Sequence, residues 1–61
     1  MNKAQKREVE KTLSYGQHLG ADYLARSLSA LIRSARTYKQ KQELLAIARD
    51  VNVAHHPEFI C

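Results

Sequence analysis

The chain has 61 residues, 44% of them hydrophobic and 26% charged, with ten Lys or Arg against six Asp or Glu and a formal net charge of +4. That length excludes more than one domain, and a domain of this size buries only about 60% of the surface its unfolded chain exposes, too little for a core and a deep catalytic cleft together. Cys61 is the single cysteine, which excludes a disulfide framework, and no run approaches the roughly 20 apolar residues that span a bilayer.

The opening, MNKAQKREVEK, has no apolar stretch behind its charges, unlike a secretory leader. The expectation is a soluble chain in a reducing cytoplasm, where a lone thiol is at home. Ala, Leu, Lys, Arg, Gln and Glu dominate; all are strong helix formers. No segment alternates with the period of two that a half-buried strand shows, and there is no internal repeat. The expected class is all-α.

Asn2 is placed to cap a first helical segment in which Val9, Leu13, Gly16 and Gly20 recur at spacings of four, three and four. Each glycine costs about 1 kcal/mol relative to Ala in a helix interior. Gly16-x3-Gly20 has the form of a close helix crossing, but that motif is persuasive inside an apolar membrane span, and here it lies among Gln17, His18 and Asp22. The first thirty-odd residues are thus either one long helix or two helices joined around GQHLG; the favoured reading is a weak, frayed join there, with Asp22 available to cap a new helix at Tyr23.

Leu24, Leu28, Leu31 and Ala35 continue at helical rhythm, with Ile32 widening the stripe and Arg26, Arg33 and Arg36 on the opposite side. The following stretch, RSARTYKQKQE, is polar and basic. Within it Thr37 and Gln40 have the spacing of a capping box, in which each residue's side chain bonds the other's backbone N–H. Leu44, Leu45, Ile47, Ala48 and Val51 then form a third stripe, Asn52 is a stop signal, and Pro57 prevents helix through His56. The tail VAHHPEFIC, residues 53–61, reads as flexible and extended, with Phe59 and Ile60 either folded back or loose.

These elements make a single domain, 1–61: a helical hairpin of two main helices, about 22–36 and 38–52, with an additional N-terminal helical segment and an extended C-terminal tail. Leu24, Leu28, Leu31, Leu44, Ile47 and Val51 are the expected core and any self-association surface. A hairpin alone leaves part of both stripes uncovered, so a homodimer forming four helices is one solution. A three-helix monomer, with the first segment folded over the other two, is the competing one.

Little here resembles catalytic chemistry. His18, His55, His56 and Cys61 are ligand types for zinc, but no paired Cys or His-x3-His spacing accompanies them. Cys61 lies at the chain end, without the surrounding packing that fixes a nucleophile, and FIC is not a prenylation signal. The expectation is no enzyme, no metal and no cofactor.

Charge is the strongest functional signal. Residues 1–41 hold nine Lys or Arg against three acids, a net +6, and residues 42–61 hold one Arg against three acids, a net −2. Arg26, Arg33, Arg36, Lys39 and Lys41 are therefore the candidate residues for an acidic partner or a polyanion. Positive charge alone carries no base specificity. A helix-turn-helix DNA-binding regulator is the alternative, with Tyr38, Lys39, Gln40 and Gln42 at the start of its recognition helix. Tyr15, Tyr23 and Tyr38 would suit either base stacking or the border of a small core.

The opening MNKAQKREVEK with the segment LARSLSALIRSARTYKQKQELLAIARD resembles the small accessory proteins that lambdoid phages encode in the early region between their exonuclease and excisionase genes. The resemblance extends over nearly the whole chain and rests on overall likeness rather than on a motif. It implies a helical, non-enzymatic protein made early in infection in the host cytoplasm. Such a protein would bind a host or phage protein and act on host physiology or on the choice between lysis and lysogeny. The family brings no catalytic or ligand residues to these positions.

Overall fold

Three helices, with no strand among the described residues, make up the computed structural model, which describes residues 3–59: α1 Lys3–Leu19, α2 Ala21–Arg33 and α3 Tyr38–Asp50. The expected cap at Asn2 and the ends Ile60 and Cys61 lie outside the described residues. The all-helical class follows from composition; the boundaries follow from individual residues.

The join between α1 and α2 is sharper than the frayed stretch the glycines suggested. It is a single residue, Gly20, whose φ of 96° is natural only for glycine. Gly16, by contrast, stays inside α1 and is buried, and a Cβ added there would fall onto the Leu24 side chain. The two glycines thus do separate jobs. Gly20 turns the chain, and Gly16 lets α2 approach the α1 backbone. Asp22 is not the cap: α2 begins two residues earlier than that would require, after Gly20 and without a side-chain cap bond.

α2 also ends sooner than expected, at Arg33 rather than near residue 36. Ser34 closes it by donating its backbone N–H to Ala30 O at 3.1 Å and its hydroxyl to Ala30 O and Leu31 O. Ser and similar residues compete for helix carbonyls in this way. α3 starts where Thr37 predicts, with Thr37 Oγ1 accepting from the Gln40 N–H at 3.2 Å. Its end is set by Asn52, at φ 61°. There Val53 N–H reaches Ala48 O and Asn52 N–H reaches Arg49 O, the two bonds of a Schellman stop.

The tail is not extended. His56 N–H donates to Val53 O and Phe59 N–H to His56 O, so residues 53–59 run through successive turns. Val53 is fully buried, and Phe59 is half-buried against the core. The physical reason is the Schellman geometry itself, which turns the next apolar side chain back over the last helical turn.

The core has two adjoining parts. Ala25, Leu28, Ala48 and Val53 form one, with Leu24, Leu31, Ile47, Val51 and Phe59 around it. Val9, Ile32 and Leu44 form the other, bordered by Leu13, Leu31, Ala35 and Leu45. Late α2 meets early α1 at Val9 and Ile32, whereas early α2 meets late α1 at Leu24 and Gly16, so the two run antiparallel. By the same logic α3 runs antiparallel to α2, with Leu28 near Ala48 and Ile32 near Leu44. α2 is the central helix, and α1 covers the stripe that a bare hairpin would leave open.

Candidate interaction surface

The five basic residues singled out from the sequence are all exposed, but they do not form one face. Arg26 and Arg33 stand seven residues apart on α2, two turns along the same side. They frame a shallow groove of about 240 Å³ with Ser29, Ala30 and Glu58. Arg36 lies in the corner between α2 and α3, and Lys39 and Lys41 begin α3. Two residues apart on a helix means roughly 200° of rotation, so the two lysines face different ways. None of the five has an ion-pair partner among the described residues.

The corner itself is tied to all three helices. Gln40 Oε1 accepts from the Arg36 backbone N–H at 3.1 Å and from Gln5 Nε2 of α1 at 3.2 Å. This is half a capping box. Thr37 caps Gln40 as its spacing predicts, while the returning Gln40 side chain bonds the amide one residue before Thr37. Beneath it, Ala4, Gln5, Glu8, Val9, Leu31, Ser34, Gln40 and Leu44 line a small apolar-floored hollow of about 140 Å³.

On the other side of the molecule the tail docks against α2. His56 Nε2 sits 2.7 Å from Asp22 Oδ1, and its Nδ1 accepts the Glu58 backbone N–H at 3.0 Å. Because Nδ1 must be an acceptor, the neutral ring carries its proton on Nε2 and donates it to the carboxylate. Both ring nitrogens are thereby used. Asp22, in the first turn of α2, also faces that helix's positive end. These bonds deliver Glu58 to the groove of Arg26 and Arg33, where it has no ion pair within 4.0 Å among the described residues.

The expected core residues are where a core needs them. Leu28 and Leu44 are buried, and Leu24, Leu31, Ile47 and Val51 are half-buried. Large apolar side chains left exposed are Tyr15, Leu19 and Tyr38, the last at 76%. Tyr15 lies under Lys11 Nζ, 5.8 Å from the ring centre, a cation–π contact of modest strength at an exposed site. Tyr23, at the α2 start, is half-buried.

Among the described residues no three His, Cys, Asp or Glu side chains gather where they could hold a metal ion, and no helix is long and apolar enough to cross a membrane. His18 and His55 are exposed. Missed by sequence reasoning were Asp22–His56, Gln5–Gln40 and the placement of Glu58. Each joins positions more than thirty residues apart or depends on one that does, and no local pattern marks it. No family model, curated protein or solved structure matches the chain.

Proposed function

We propose that this chain is a non-enzymatic helical interaction protein that binds an acidic segment of a partner protein through its basic surface. The observation that carries this reading is that Arg26, Arg33, Arg36, Lys39 and Lys41 are exposed and have no ion-pair partner among the described residues. Surface cations held without counter-charges steer an oppositely charged partner and set the rate of encounter. The resemblance to lambdoid phage accessory proteins gives the reading its setting: a host or phage protein as partner, bound in the host cytoplasm early in infection, with host physiology or the lysis–lysogeny choice as the process affected.

Of the two solutions for the hairpin's stripes, a homodimer and a three-helix monomer, the packing of α1 against α2 supports the second. The proposed active unit is the three-helix monomer.

The second reading, a helix-turn-helix regulator bound to DNA, is favoured by one feature. Tyr38 stands almost free at the start of α3, flanked by exposed Lys39, Lys41 and Gln42, a polar helix start of the kind that enters a major groove. Gln40, the other candidate base contact, is already bonded to Arg36 and Gln5.

Fluorescence anisotropy separates the two. A labelled oligo-aspartate peptide and a labelled duplex are each titrated with protein at low and moderate salt. Peptide binding that weakens in Arg26→Ala/Arg33→Ala but persists in Tyr38→Ala supports the interaction protein. Duplex binding that is lost in Tyr38→Ala and in Lys39→Ala, with a steep salt dependence, would replace it.

A further inference from the structure

Arg26 and Arg33 are charged, exposed and two turns apart, and the space between them is floored by the small side chains of Ser29 and Ala30. A floor of small residues between two long guanidinium arms leaves room for an approaching chain. One acidic residue of this chain's own tail, Glu58, already lines that space. It is carried on a turn rather than a helix, and it arrives without pairing either arginine.

Its placement is not incidental. The Glu58 amide is bonded to His56 Nδ1, His56 Nε2 holds Asp22, and the Phe59 amide is bonded to His56 O. Phe59 then packs on both parts of the core. Three anchors thus fix the backbone on either side of Glu58 and keep that residue at the edge of the groove.

Resting on the reading of the basic surface given above, we propose that the groove between Arg26 and Arg33 is the docking site for a carboxylate-bearing peptide segment of the partner, and that Glu58 is a tethered competitor for it. Guanidinium groups bind carboxylates through paired N–H donors. A carboxylate held nearby lowers the positive potential that an incoming acid meets, without closing the site. The occupant is an acidic peptide rather than nucleic acid because the residue that this chain itself brings to the groove is an acidic one on a peptide turn, and because the residues suited to a duplex lie at the other end of the corner, around Tyr38.

The test is a titration of labelled oligo-aspartate peptide at low ionic strength, where surface charges are least screened. It compares wild type, Glu58→Gln, Glu10→Gln and Arg26→Ala/Arg33→Ala, the last with and without Glu58→Gln. Circular dichroism checks that each is folded. Glu10 is exposed on α1 outside the groove, so its substitution makes the same change of net charge. Glu58→Gln should tighten binding about two- to fivefold, Glu10→Gln should leave it nearly unchanged, and the gain should vanish when both arginines are absent. Equal gains from Glu58→Gln and Glu10→Gln, or a gain that survives without the arginines, would overturn the competitor role while leaving the basic surface standing. Absence of binding by wild type and Glu58→Gln alike would overturn the basic-surface reading and this inference with it.

Discussion

His56 and Asp22 are joined across 34 positions of sequence by a 2.7 Å contact between the imidazole Nε2 and the carboxylate Oδ1. The bond fastens the end of the chain to the start of the central helix. His56 has a side chain 22% exposed and Asp22 one that is 68% exposed, so the histidine's interactions are the better shielded. His56→Ala removes both ring bonds and should destabilise the fold by about 1 kcal/mol, whereas Asp22→Asn keeps an acceptor for Nε2–H and should lose less than half of that. Urea unfolding followed by circular dichroism reads the difference. Limited proteolysis should find the tail cut faster in His56→Ala, and an unchanged cleavage rate would show that Val53 and Phe59 hold the tail unaided.

Gly16 and Gly20 should respond to alanine for opposite reasons. At Gly16 alanine would favour helix by about 1 kcal/mol, but its methyl strikes Leu24, and overpacking of this kind costs about 1–3 kcal/mol. The net effect should be destabilising, and Leu24→Ala should remove the penalty in the double variant. At Gly20 nothing lies within 4 Å of an added Cβ; the loss of about 1–3 kcal/mol there comes from the backbone alone, at φ 96° and ψ 179°, and should not depend on residue 24.

Asn52→Gly should be neutral or slightly stabilising, since the αL position of the Schellman stop favours glycine. Asn52→Val should cost more than 1 kcal/mol, because a β-branched side chain resists that conformation. Thermal unfolding midpoints of the two variants check this.

Truncation of the core has a larger scale. Leu28 is fully buried at the centre of one cluster, and Leu28→Ala should lose about 2–5 kcal/mol. A single small core rarely supplies more than about 3–5 kcal/mol in total, so this variant should be largely unfolded at room temperature by circular dichroism. Tyr38→Ala, at an exposed site, should leave the midpoint within about 0.5 kcal/mol of wild type.

Local signals were legible in the sequence, and tertiary ones were not. Thr37 announced the start of α3 because a hydroxyl three residues before a free N–H is a local device, and Asn52 announced its end for the same reason. The stripe of Leu24, Leu28 and Leu31 marked the inward face of α2 through periodicity alone. Gly16 misled because its role is set by a neighbour on another helix. The tail misled because its two histidines and proline suggested extension, while its turns are held by Val53 in the core and by Asp22 far upstream. The basic residues were readable as a charge excess, but their division into a groove on α2 and a separate corner depends on where Glu58 comes to rest.

The most direct test of the Arg26–Arg33 groove as the binding face is a chemical-shift titration of the isotope-labelled protein with the oligo-aspartate peptide. The account predicts shifts concentrated at the amides of Arg26, Ser29, Ala30 and Arg33, with Glu58 moving alongside them. Shifts concentrated at Tyr38 to Gln42, or along Val9, Leu31 and Leu44, or none at all at low salt, would contradict it.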